Sequence, residues 1–288
     1  KYETQPELRG TRHTARGTLH EAPGTLHEAR GTRHEAQGTR HEARGTRHCD
    51  LRQQHSYYKE VYGYNDNVTE IENFIIRRER LVKQLETFGY IKSRKVKEAM
   101  LKVPRHKFLP PSLENESYLD TPLSIGFGQT ISAPHMVAMM LELLEVQKGQ
   151  KILEIGTGSG YHAALLAELV GDNGTIVTIE RIRELVEFAT DNLRKTGYAR
   201  NVVVLHGDGS KGVLDYAPYD GILVTCGAPE VPEELKSQIT NTGIIVIPIG
   251  AKYFQTLTIL KKKNDKFETI TEGECMFVPM VGEKGFPE

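Results

Sequence analysis

Residues 56–288 predict a doubly wound α/β fold with a mainly parallel sheet and an antiparallel C-terminal edge. Three observations carry that expectation. Apolar runs at 151–155, 175–179, 202–206, 221–225 and 244–249 read as strands, with helical patterns at 161–170, 183–196 and 232–239 among them. A glycine-rich turn, 156–160, joins the first of these strands to the first helix. Two β-rich runs, about 255–261 and 268–277, follow each other across a short turn at 263–265, which makes them antiparallel neighbours.

The elements before the alternation are helical. Thr69 and Glu72 fit a capping box, and Ile71, Phe74, Ile75, Leu81, Val82 and Leu85 then recur at helical spacing until Gly89 stops the pattern. A second helix over 93–103 ends at Pro104. The stretch 110–134 holds Gly126, Gly128 and several hydroxyl residues and reads as loop, followed by a helix over 135–145.

Residues 1–55 are of another kind. From Gly10 they run GTRHTAR, GTLHEAP, GTLHEAR, GTRHEAQ, GTRHEAR, GTRHCDL. The period of seven raises a coiled coil, but a glycine in each repeat and the lack of an apolar seam argue against one. Solenoid units need longer periods, so the expectation is a disordered low-complexity tail. Its evenly spaced histidines, His13 to His48, invite a metal reading, but single flexible histidines are poor preformed ligands. No metal is expected.

Bulk charge excludes little but points away from polyanions: 37 basic residues stand against 38 acidic ones, a net charge of −1. Neither a nucleic-acid nor a membrane partner is expected. No apolar run approaches the roughly 20 residues that cross a bilayer. Cys49, Cys226 and Cys275 are sparse and widely separated, with neither disulfide-framework nor metal-ligand spacing, so a cytoplasmic location is expected.

The chemistry concentrates after the strands. Glu154-Ile155-Gly156-Thr157-Gly158-Ser159-Gly160 lets a ligand approach the backbone closely, but its third glycine comes one residue too early for the dinucleotide pattern. Glu180, at the next strand end, can accept from ribose hydroxyls. Gly207-Asp208-Gly209 follows the third strand, where Asp208 can accept from an adenine amino group or simply make a turn. An acid at Glu154 suits a sulfonium and an ammonium group better than a pyrophosphate, which favours S-adenosylmethionine over a nicotinamide dinucleotide.

The runs KILEIGTGSGYHAALLAELV (151–170), TIERIR (178–183) and HGDGSKGVL (206–214) resemble successive motifs of the protein-L-isoaspartate methyltransferases. GQTISAPHMVAMMLELLE (128–145) is similar to the segment that sets this family apart from other methyltransferases of the same core. VPRHKFLPPS, YDGILVTCGAPEVPE, GIIVIPIGA and FVPMVGE extend the resemblance over about 68–283, leaving out the repeat. It implies a Rossmann-like S-adenosylmethionine-dependent fold and a catalytic domain over 56–288. The implied reaction is methyl transfer to the free α-carboxylate of L-isoaspartyl residues in age-damaged proteins and peptides. The ester then closes to a succinimide, which opens partly to normal aspartate.

By the same resemblance Ser132 is the active-site serine, orienting the substrate carboxylate and not acting as a nucleophile. Ser132 can also serve as a helix cap before Pro134. The cofactor-binding set is Ile131, Ala133, His135, Glu154, Gly156, Gly158, Ser159, Glu180, Gly207 and Asp208. Substrate contacts are expected from Ile125, Gly126, Gln129, Thr130, Val281 and Gly282. His162 departs from the glutamine expected in many relatives, and Cys226 stands where small residues are usual. Three other readings compete: a nucleotide-dependent oxidoreductase, a catalytically inactive S-adenosylmethionine-binding module, and a methyltransferase of another acceptor such as RNA or a small molecule.

Overall fold

The computed structural model describes residues 69–287, apart from Asp265. The repeat and its histidines lie outside the described residues. Helix α1 (Glu70–Thr87) starts at the expected capping box: the Glu72 N–H donates to Thr69 Oγ1 at 3.3 Å, and the Thr69 N–H donates to Glu72 Oε2 at 2.8 Å. It buries Phe74, Leu81, Val82 and Leu85, whereas Ile71 and Ile75 of the apolar pattern stay exposed. Helix α2 (Arg94–Lys102) is capped by Ser93 and turns Val96, Ala99 and Met100 inward.

The stretch read as loop contains a small hairpin, β1 (Leu123–Gly126) against β2 (Gln129–Ile131). Strands of four and three residues broken by glycines leave too little alternation to detect. Helix α3 (Pro134–Leu144) follows, with proline in the first turn.

The sheet then builds from β3 (Lys151–Ile155), α4 (Tyr161–Val170), β4 (Thr175–Glu180), α5 (Arg183–Thr196) and β5 (Val202–His206). The chain returns to the other side of β3 with β6 (Tyr219–Val224), α6 (Glu233–Ser237), β7 (Ile239–Ala251), β8 (Phe254–Lys263) and β9 (Lys266–Cys275). The strand order is β5-β4-β3-β6-β7-β8-β9, parallel through β7 and antiparallel from β7 to β9. Helix α6 is shorter and β7 longer than expected. Thr240 and Thr242 favour extended backbone, and Ile239 pairs with Tyr219, although this stretch lacks an apolar run.

Both faces of the parallel strands are covered. Ile152, Ile176, Leu223 and Val246 point into one core layer, and Leu153, Val177, Ile222 and Ile245 into the other. That is why these strands read as nearly continuous apolar runs. Strand order reverses between β3 and β6, so their carboxyl ends, with that of β4, frame the crevice where such sheets take ligands.

Candidate active site

Glycine geometry shapes the floor of this crevice. Gly156 has φ +93°, and a Cβ there would stand 2.5 Å from Thr225 Oγ1 at the end of β6. Thr225 in turn donates to the carbonyls of Ile155 and Gly156, at 3.0 and 2.6 Å. The loop is therefore pressed against β6, and only glycine fits. Glu180 closes the opposite side. Its Oε2 accepts from the Gly158 N–H at 3.0 Å, and its Oε1 accepts from the Arg181 and Ile182 N–H groups at 2.9 and 3.1 Å. Oε2 keeps a lone pair for a further donor, as a ribose hydroxyl requires.

A concave cleft opens here, mixing apolar walls with a few polar groups as small-molecule sites do. Gly156, Glu180 and Gly209 line its floor, Gln129 and Thr130 one rim, and Val278 to Val281 the other. Beside it Gly207, Asp208, Val281 and Gly282 line a second hollow. Of the predicted residues, Gly156, Glu180, Gly207 and Asp208 for the cofactor and Gln129, Thr130, Val281 and Gly282 for the substrate line these two hollows, whereas Ile131, Ser132, Ala133 and His135 line neither.

Asp208 does more than make a turn. Its Oδ1 accepts from the Ser210 N–H and Oγ, at 2.9 and 2.7 Å, and its Oδ2 accepts from the Glu283 N–H at 2.8 Å. Burial works to raise its pKa, but these bonds prevail and hold it below the usual aspartate value. Gly282 lies so close that a Cβ would fall 2.1 Å from Asp208 Oδ1. One carboxylate therefore supports both the loop after β5 and the C-terminal segment.

Glu154 is placed differently from the expectation. It is fully buried behind the glycine loop and does not line the cleft. Its Oε2 accepts from Thr178 Oγ1 at 2.6 Å, and Thr178 meets Thr157 Oγ1 at 2.7 Å. Burial pushes its carboxyl up to about 8, against the Thr178 bond and with Glu180 adding to the rise. A carboxyl with that pKa carries little charge at neutral pH with which to favour a sulfonium over a pyrophosphate, and the glycine spacing alone speaks against a dinucleotide. Ser159 is likewise buried, its carbonyl accepting from Asn192 Nδ2 at 3.0 Å.

The hairpin sits over the loop. A Cβ on Gly158 would stand 3.3 Å from Ile125 Cδ1, and Gly126 lies exposed at the turn with φ +88°. Ser132 lies half-buried between the buried Ile131 and Ala133, just past β2. The cap expected of Ser132 is not made: the N-cap of α3 is Ala133, with no side-chain bond, and the His135 N–H donates instead to Asp120 Oδ1 at 2.8 Å.

Sequence reasoning missed Asp120, Thr225 and Met280. Thr225 was within reach of it, since it directly follows β6 and strand ends are where such folds bind. Met280 meets the cleft, and Asp120 the predicted cofactor residue His135, only through tertiary contact. His162 is buried and held neutral, its pKa pushed down to about 4 by burial, which fits a tolerated core residue. Cys226 lines the cleft, and burial raises its thiol pKa.

Known proteins share the sequence and the fold. The sequence model described as Protein-L-isoaspartate(D-aspartate) O-methyltransferase matches residues 76–285. A protein-L-isoaspartate O-methyltransferase of Methanopyrus kandleri is 56% identical over 212 residues, 73% of this chain and 94% of that protein. One from Hyperthermus butylicus is 52% identical over 219 residues, covering 73% and 91%. Among solved structures, a protein-L-isoaspartate O-methyltransferase superposes with a TM-score of 0.65 at 34% identity, covering 72% of this chain and 67% of that one. A Plasmodium falciparum protein described as a β-aspartate methyltransferase, crystallised with S-adenosyl-L-homocysteine, also gives 0.65, at 29% identity over 71% of this chain and 98% of its own.

Proposed function

The chain belongs to the protein-L-isoaspartate(D-aspartate) O-methyltransferase family, and on that premise we propose that it methylates the α-carboxylate of L-isoaspartyl residues in damaged proteins and peptides, with Ser132 orienting the acceptor. The donor is S-adenosyl-L-methionine, which supplies an electrophilic methyl group on a sulfonium. The residues present fit it. Glu180 offers acceptors to a ribose, and the tight glycine loop lets a ligand lie against backbone.

The observation that carries the reading is the shared cleft. Predicted cofactor residues Gly156 and Glu180 line the same cleft as predicted substrate residues Gln129, Thr130 and Val281. Two reactants bound there meet in one place. In the transfer, a carboxylate oxygen forms a bond to the methyl carbon as the carbon–sulfur bond breaks, and the electron pair stays on sulfur. The acceptor is already ionised at neutral pH, so no base has to remove a proton. The protein's work is alignment and exclusion of water, and well-oriented reactants recover roughly 7–11 kcal/mol of the barrier that way.

Each group then has a defined task. A half-buried Ser132 hydroxyl beside the hairpin is suited to donate one hydrogen bond to the acceptor carboxylate. Gln129, Thr130, Val281 and Gly282 would flank an extended peptide on the two rims. Asp208 secures the second rim through the Glu283 N–H. Among the described residues no helix is long and apolar enough to cross a membrane. Cys226 and Cys275 are free thiols, which suits the reducing cytoplasm we infer as its location.

The test is methyl transfer from labelled S-adenosyl-L-methionine to paired peptides that differ only in an L-isoaspartyl or L-aspartyl linkage. Base-labile label on the isoaspartyl peptide alone is the expected result. Label on neither, with S-adenosyl-L-homocysteine still bound, would rule this acceptor out and leave a binding module or another acceptor.

A further inference from the structure

We propose that Asp120 is a positioning residue for the reaction, holding Ser132 in place through the first turn of α3. The inference rests on the acceptor-orienting role of Ser132 proposed above. Asp120 lies in the bend before β1, fifteen residues upstream of His135. Its Oδ1 accepts from the His135 backbone N–H at 2.8 Å and meets His135 Nδ1 at 2.9 Å. A single oxygen thus clamps both the backbone and the side chain of one residue.

The helix start has no other side chain to do this. Its N-cap is Ala133, which has no side-chain acceptor, and Pro134 has no N–H. The His135 N–H is one of the orphan donors of the first turn, and a carboxylate there also meets the positive end of the helix dipole. The side-chain bond settles the imidazole as well. Nδ1 carries the hydrogen toward the carboxylate, which leaves Nε2 bare in the neutral ring. The ring also lies against Tyr90, with centroids 5.2 Å apart.

Asp120 is itself in a braced surrounding. Arg105 is buried, donates from Nε to the Ser117 carbonyl at 2.9 Å and lies 5.2 Å from the Tyr161 ring centroid. Burial lowers the pKa of that guanidinium to about 10, with Tyr161, Tyr118 and Asp120 opposing the fall. Tyr161 is the first residue of α4, directly after the glycine loop. Arg105 therefore ties the turn three residues before Asp120 to the helix that begins at the donor-binding loop.

The tether from the clamp to Ser132 is short and stiff. Only Ser132, Ala133 and Pro134 separate His135 from Ile131, the last residue of β2. Proline fixes its own φ and biases Ala133 to extended backbone, observed at φ −56°, ψ 142°. Little slack remains, so a shift of the helix start moves the serine. A misplacement of about 1 Å can cost about 100-fold in rate.

The test compares wild type, D120A, D120N, S132A and the double variant D120A/S132A on the isoaspartyl peptide, well below their melting temperatures. D120A should lower kcat by roughly 10–100-fold while S-adenosyl-L-homocysteine affinity holds. D120N, whose amide oxygen can still accept both bonds, should recover most of the rate. In the S132A background the loss from D120A should nearly vanish, because the two residues act as one unit. Equal losses from D120A with and without Ser132 would overturn the proposal, as would an unchanged kcat in D120A. If D120A does not fold, the ring nitrogen spectrum of His135 in the wild-type protein still decides, since a neutral ring protonated on Nε2 contradicts the clamp. A wild-type protein inactive on the isoaspartyl peptide would remove the functional reading, and this inference with it.

Discussion

Glu154, two residues before the glycine loop, and Glu180, on the neighbouring strand, show how position decides a side chain's chemistry. Glu180 takes three backbone N–H groups and lines the cleft as a ready acceptor. Glu154 is sealed beneath the loop, and burial pushes it up to about 8. Asp208 is a third case, with its oxygens shared between Ser210 and the C-terminal segment. That sharing makes Gly282 sensitive. In Gly282→Ala the new methyl would meet Asp208 Oδ1 at 2.1 Å, and the segment from Val281 to Glu283 must shift away. Steady-state kinetics should show the peptide KM rising by about 10-fold, one 1.4 kcal/mol step, with a smaller effect on donor affinity. An unchanged peptide KM would mean that the second rim does not touch substrate.

Among the elements, α1 and the β1–β2 hairpin contrast in how they are held. Helix α1 relies on its local capping box and on an apolar face that includes Val82 and Leu85. It contributes no residue to the cleft. Thr69→Ala should therefore cost about 1 kcal/mol of stability, read from denaturant unfolding, and leave kcat unchanged. A loss of activity without loss of stability would assign α1 a role in the site. The hairpin has only seven strand residues and depends on its surroundings. Its inward residues Leu123, Ile125 and Ile131 are buried in the core layer shared with α3 and α4. A two-stranded ribbon of that length has no independent stability, so its placement over the glycine loop comes from this packing.

For the whole molecule, buried titratable groups set how stability depends on pH. Burial lowers His106 and His162 from 6.5 to about 4, so both are neutral in the fold. The unfolded chain protonates them as pH falls below 6.5, and stability is lost between 6.5 and 4. Glu154 works in the opposite sense. Its pKa rises from 4.5 to about 8, so the unfolded chain ionises first and stability declines as pH climbs across that window. Each pH unit there costs up to about 1.4 kcal/mol. Below 6.5 the two histidines outweigh the single glutamate, and above it Glu154 acts alone. Stability should therefore peak near pH 6.5, where the histidine range ends, and decline toward 8. Glu154→Gln keeps an acceptor for Thr178 and should flatten that decline, measured as the denaturant midpoint against pH. A wild-type midpoint still climbing from 6.5 to 8 would show that Glu154 is ionised in the fold.

By itself the sequence determined the order of strands and helices from Lys151 to the antiparallel edge, the capping box of α1 and the glycine loop. Period, caps and turn residues are local, so a stretch of 10 to 20 residues carries each of these signals. The motif strings also pointed to the family and its methyl donor. Tertiary structure alone decided which acids face ligand. Glu154 and Glu180 look alike at two strand ends, yet one side chain is covered by the loop and the other is not. It also decided the pairing of Asp120 with His135 and of Asp208 with Glu283, across 15 and 75 residues. The short hairpin likewise emerged only from the fold, because its strands are too brief to show a period. Contacts between distant residues depend on how finished elements pack, and no window of sequence records that distance.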